Sequence, residues 1–326
     1  MAKKEYEEKV SDFYSVIKDK KAGEPFSRYK SWEYCHEIFN YYYGKKEKIT
    51  DEVYDLLALN LAFYLASWGM YRGSSFLLQR DYKTHIGAVK EIMKDKYKDL
   101  WNYDPSDKNN ETLETDANRL VQLCLAIAKT YEPIEERNKQ NDDLYTYVFE
   151  FEDKYIDVVI EKDNVGYVVK KGGKKNITID NNKLKFNGVD LDFSLGDDFY
   201  LKNYESKNIY RTKSKKVNAK LLNVYNVENV STILTTKIVM GTLGSVPAFD
   251  RFFISGLKSK NPYTIEGKKW NVVPSFCKKT LLFTFKFYNE YLQKVTIPDL
   301  PKIYTPLKKV DMCFWQIGFE KDQSKE

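Results

Sequence analysis

The residues best suited to chemistry are an aspartate at a helix start, a lysine in an apolar run and a small group of aromatics. Asp250 stands in Val246-Pro247-Ala248-Phe249-Asp250-Arg251-Phe252-Phe253, where a proline followed by an acid predicts the opening of a helix. A carboxylate fixed there can stabilise positive charge on a sugar carbon and orient water toward it. Upstream, Val230-Ser231-Thr232-Ile233-Leu234-Thr235-Thr236-Lys237-Ile238-Val239-Met240 carries Lys237. In the run from Tyr64 to Ser75, Trp68, Tyr71 and Arg72 offer stacking faces and a cation for a phosphate or a base. Each also has an ordinary reading, as a first-turn acid, a packed indole, or a surface cation.

Together the two runs around Lys237 and Asp250 resemble the end of the helix-hairpin-helix motif of the DNA glycosylase superfamily. In that family a hairpin loop leads into a helix, and the next helix opens with a Pro-x-x-Asp-type sequence bearing the catalytic aspartate. The resemblance covers about half of the chain, leaves out its middle, and sets Asp250 at that aspartate. The segment Lys309-Val310-Asp311-Met312-Cys313-Phe314-Trp315 looks like the closing helix of some relatives, and Tyr64 to Ser75 is similar to a segment of bacterial proteins. Asn229-Val230-Ser231 replaces the family's pair of glycines, which admit a DNA phosphate closely. Lys237 also lies nearer to Asp250 than the Schiff-base lysine of bifunctional members does.

What the resemblance implies is therefore a monofunctional DNA glycosylase-like enzyme, in repair or anti-phage defence, without metal or organic cofactor. Asp250 would be its catalytic carboxylate. Trp68, Tyr71, Arg72 and Lys237 would surround the base, which must leave the stack before its glycosidic bond can be reached. Ser231 and Thr232, with Lys171, Lys174 and Lys175, would contact the nucleic-acid backbone, and the expected partner is DNA, including DNA with modified bases.

Two other readings stand beside this one. Arg80-Asp81-Tyr82-Lys83-Thr84-His85 resembles the signature of HEPN-type ribonucleases, which implies Arg80 on phosphate charge and His85 as acid or base; RNA is then the partner. The middle of the chain, with Lys170-Lys171-Gly172-Gly173-Lys174-Lys175 and Lys213-Ser214-Lys215-Lys216, also suits a non-catalytic module that binds nucleic acid or protein, with basic turns suited to touching phosphates.

The elements that position these residues follow from periodicity. Thr50 is placed to cap a helix that starts at Asp51 and stays apolar through Leu65. Further helices are expected near 83–94 and 112–131, the latter with Leu120, Leu123, Cys124, Ile127 and Ala128 at helical spacing. From Tyr145 the period becomes that of strands, with β-branched and aromatic runs parted by Glu-Asp, Asp-Asn and Gly-Gly turns. Helical patterning returns near Val230 over 231–240, 248–257 and 276–292, and a last helix, 307–317, is expected to end at Gly318. The reading is a mainly helical α+β fold, with helical parts at 1–140 and 223–326 and an antiparallel β insertion at 145–222.

Composition sets the bounds. The 326 residues carry 53 Lys plus Arg against 47 Asp plus Glu, a net charge of +6 that permits an approach to phosphate without requiring it. Two histidines, His36 and His85, exclude a multi-histidine metal site, and four scattered cysteines argue against a disulfide scaffold. The charged start lacks a secretory signal core, and the apolar run from Leu56 to Met70 falls short of the roughly 20 residues that cross a bilayer. A cytoplasmic protein with no membrane partner is expected. Phosphate-binding, dinucleotide and nucleophile-elbow motifs are absent from the sequence.

Overall fold

The computed structural model describes residues 2–18, 28–45, 49–73, 75–131, 232–272 and 275–324, together with the backbone of the strands between 144 and 225. The chain is mainly helical α+β and divides into two units. One comprises Met1–Tyr131 and Asn229–Glu326, the other Glu132–Glu228.

The first unit opens with α1 (Ala2–Lys18), whose Tyr6, Val10, Phe13, Tyr14 and Ile17 recur at helical spacing and are all buried. Next come α2 (Ser31–Tyr43), α3 (Asp51–Ser67), α4 (Ile86–Ile92) and α5 (Asn110–Lys129). Asn109 caps α5 by accepting from the Thr112 amide at 2.8 Å. Thr50 holds the N-cap position of α3 with extended backbone but makes no side-chain cap bond. The helix expected near 83–94 is shorter, because a 3-10 turn at Tyr82–His85, capped by Asp81, precedes α4.

After the second unit the helical part resumes with α6 (Thr232–Thr242) and α7 (Arg251–Ser259). Then follow α8 (Lys278–Phe287), which continues into a π turn at Tyr288–Leu292, and α9 (Pro306–Gln323). A short hairpin at Tyr263–Ile265 and Lys268–Trp270 interrupts the expected helical run. Its turn holds Glu266 and Gly267, both at positive φ, the turn geometry that suits tightly twisted hairpins.

Gly318 does not end the last helix. It lies inside α9, where a side chain would press its Cβ to 1.9 Å from the Phe252 carbonyl oxygen, and Gly256 of α7 meets the Phe314 carbonyl at the same separation. The two glycines let α7 and α9 touch backbone to backbone. Gly256→Ala is therefore expected to lower stability by about 1–3 kcal/mol, the usual range for overpacking. An unchanged urea midpoint would contradict it.

In the second unit β1 (Leu144–Phe151), β2 (Lys154–Asp163), β3 (Gly166–Lys171) and β7 (Ala219–Tyr225) form one antiparallel sheet in the order β3-β2-β1-β7. The strands β4 (Ile177–Asp180), β5 (Lys183–Phe186) and β6 (Val189–Ser194) form another. Lys171 ends β3, in register with Val159 of β2. Lys174, Lys175, the 213–216 cluster and Ser231 lie outside the described residues.

Candidate active site

The site is built where α6 ends, the chain turns, and α7 begins. Buried side chains run through α6 from Leu234 to Thr242, which makes it a central helix. Lys237 therefore points into the protein with 4% of its side chain exposed, and a buried ammonium needs partners. Its Nζ donates to Asp250 Oδ2 at 3.1 Å and to the Trp68 carbonyl at 3.4 Å.

A helix C-terminus leaves carbonyls without partners, and four separate groups meet them here. Trp32 Nε1 donates to Met240, His36 Nδ1 to Thr242, the Asn102 amide to Leu243 and Thr305 Oγ1 to Gly244, at 2.6–2.9 Å. Gly244, at φ +70°, turns the chain in the left-handed region that glycine favours. A carbonyl can only accept, so His36 carries its proton on Nδ1 and its Nε2 faces the Asn40 amide at 3.1 Å.

Beyond the turn, Asp311 Oδ1 accepts from the Ala248 amide at 2.9 Å and Thr236 Oγ1 from the Phe249 amide at 3.1 Å. Asp250 then caps α7, its Oδ1 accepting from the Phe252 and Phe253 amides at 3.1 Å each. Among the described residues three donors reach this carboxylate. Such a group offers about four acceptor positions, so one on Oδ2 is left for a water or a substrate atom. Asp250 retains 14% side-chain exposure, against 2% for Lys308 and 3% for Asp311.

Aromatic rings close around these charges. The Trp68 ring centre is 5.1 Å from the Lys237 ammonium and 5.3 Å from that of Lys308. Tyr29 and Trp315 pack on Trp68 at 5.1 and 6.3 Å between ring centres. The indole N–H of Trp68 is buried and meets no acceptor among the described residues. Lys308 donates to Asp311 Oδ2 at 2.8 Å. Burial pushes the Asp311 carboxyl above its usual range, the Lys308 ammonium opposes that, and the charge of Asp250 adds to the rise. Burial likewise raises the Tyr64 hydroxyl, reinforced by Asp311.

Asp250, Lys237 and Trp68 are thus brought together. Tyr71 instead bonds His85 Nε2 at 2.5 Å, and Arg72 is exposed. Thr232 starts α6, and its carbonyl accepts from the hydroxyls of Thr235 and Thr236. His85 is fully buried, with Nδ1 bonded to the Tyr131 hydroxyl at 2.6 Å, and burial lowers its pKa to about 4. In this arrangement neither ring nitrogen is open to a 2′-hydroxyl. Among the described residues no hydrogen bond links His85 to Arg80, which ends a separate 3-10 turn.

Asp311, Lys308, Tyr29 and Trp32 were not legible as site residues. The one signal for the first two was an acid and a base three apart on a helix, a spacing that ordinarily marks a solvated face. A cleft of about 620 Å³ lies beside the end of α6, lined by His36, Asn40, Tyr41, Asn102, Lys302 and Thr305, and does not include Asp250. Among the described residues no cluster of three or more His, Cys, Asp or Glu is arranged for a metal, and no helix is long and apolar enough to cross a membrane. Comparison with protein-family models, with curated proteins and with solved structures finds no match to this chain.

Proposed function

We propose that the helical unit hydrolyses an N-glycosidic bond in nucleic acid, as a monofunctional DNA glycosylase-like enzyme with Asp250 as its carboxylate. The observation that carries this reading is the state of Asp250. It is held by two α7 amides and one ammonium, is partly exposed, and among the described residues has one acceptor position left on Oδ2. As the base departs with the bonding electron pair, positive charge grows on the sugar carbon. A fixed carboxylate stabilises that charge and orients the water that attacks it.

Lys237 serves the carboxylate rather than the substrate, since its ammonium already donates to Asp250 and to the Trp68 carbonyl. Such a lysine does not supply the free amine that a lyase requires. Duplex DNA is the substrate class put to the test, in a repair or anti-phage defence setting. Trp68, against the Lys237 ammonium that holds Asp250, is a candidate for stacking on the base, and Lys171 of the second unit is a candidate backbone contact.

The test is incubation with duplex DNA carrying a panel of modified bases, scored for abasic sites. Asp250→Asn keeps the size of the cap but removes its charge, and is expected to slow product formation by about two to three orders of magnitude. Product formed equally well by the variant would sink the reading.

A further inference from the structure

We propose that Lys308 and Asp311 are positioning residues for Asp250, acting through the backbone amide of Ala248. The activity arm of this proposal rests on the glycosidase reading above, and the placement arm does not. Three residues, Ala248, Phe249 and Asp250, connect the turn to α7. Each amide in that stretch is tied: Ala248 to Asp311 Oδ1 at 2.9 Å, Phe249 to Thr236 Oγ1 at 3.1 Å, and Asp250 to the Ala248 carbonyl at 2.7 Å. Asp311 is the one charged anchor among them.

Asp311 is itself fixed by Lys308, and Lys308 is enclosed by the rings of Trp32, Trp68 and Phe13, with centres 5.1–5.3 Å from its ammonium. Trp68 is the shared wall. Its ring faces Lys308 and Lys237, and its carbonyl accepts from Lys237, which donates to Asp250 Oδ2. The connections form a closed ring of side chains: Asp250, Lys237, Trp68, Lys308, Asp311, Ala248, and back along the chain to Asp250. The Oδ2 oxygen and the backbone that carries the side chain are thereby fixed from two directions, while Oδ1 is held by the Phe252 and Phe253 amides.

A buried ion pair is a poor stabiliser, because desolvating both charges roughly cancels their attraction. What Asp311 supplies that an apolar residue of similar size cannot is an acceptor aimed at the Ala248 amide. The fully buried pair is best explained by geometry imposed on the Asp250 loop.

Two double variants separate geometry from charge. Lys308→Met with Asp311→Asn removes both charges and keeps an amide oxygen for Ala248. Lys308→Met with Asp311→Leu removes the acceptor as well, and Asp311→Ala in place of Leu serves if that protein does not fold. The readout is hydrogen exchange of the Phe252 and Phe253 amides, which Asp250 caps, resolved by NMR on nitrogen-labelled phenylalanine. Loss of a cap corresponds to about a fivefold faster exchange. That increase is expected in the variant lacking the acceptor, measured against the Phe283 amide as an internal reference, with the asparagine variant close to the parent.

Equal protection of both capped amides in the two double variants would overturn the proposal. In the abasic-site assay the variant lacking the acceptor should lose kcat with KM unchanged, and the asparagine variant should recover it. If the parent protein cleaves no substrate, the glycosidase reading fails, and the exchange measurement still decides whether Asp311 positions Asp250.

Discussion

Between pH 6.5 and pH 4 the protein is expected to lose about 5 kcal/mol of stability, half of it from each of its two histidines. Burial lowers the pKa of both His36 and His85 from 6.5 to about 4. Unfolded rings take a proton near 6.5, while the folded protein resists until about 4. Across that window the unfolded chain binds more protons, so acid favours unfolding. The contribution is complete above pH 6.5 and is lost progressively as the pH falls toward 4. The Thr242 carbonyl at His36 and the charge of Asp81 near His85 oppose the shift, but burial outweighs both, and among the described residues no carboxylate is hydrogen-bonded to either ring. Because the sequence holds only these two histidines, the urea midpoint between pH 6.5 and 5 reports chiefly them, with Asp311, whose carboxyl burial raises, acting in the opposite direction. A flat midpoint over that interval would refute the prediction. Exchanging either histidine for asparagine should remove about half of the slope.

The second large effect is expected from Asp311→Leu alone. Lys308 is 2% exposed, and its ammonium would stay buried among three aromatic rings without a counter-charge, which typically costs about 3–5 kcal/mol. Adding Lys308→Met should restore most of that, because removing both charges of a buried pair is often neutral. Urea midpoints of the single and double variants check both statements. A single variant as stable as the parent would show that the ammonium finds another partner or water. Lys237→Met should be milder than Asp311→Leu, since the Asp250 carboxylate it leaves behind keeps 14% exposure and two amide donors.

How much of this could be read from the residues differs by element. The helix at Asp51–Ser67 and the one at Asn110–Lys129 were plain, because their apolar positions recur over four or more turns. The switch to strands near 145 was equally plain from its β-branched runs. The hairpin at 263–270 was not, since strands of three residues carry almost no period. Gly318 was misread as a terminator because a glycine near a chain end and a glycine at a helix crossing look alike in sequence. The crossing depends on Phe252 and Gly256, more than 60 positions away. Asp250 was legible as a helix-start acid. The companions that hold its loop come from segments around residues 236 and 311, and no spacing rule links them.

The satisfied carbonyls at the end of α6 also bear on how this protein is made. Trp32, His36 and Asn102 are synthesised before the 132–228 unit, whereas their acceptors at Met240, Thr242 and Leu243 and the fourth donor, Thr305, are synthesised after it. The whole 132–228 unit is translated between them. At ribosomal rates of roughly 5–20 residues per second, the early helices wait several seconds with these donors unmatched and their apolar faces uncovered. The helical unit is thus a domain that closes late in translation, and its nascent first part is the form most exposed to aggregation and to chaperones.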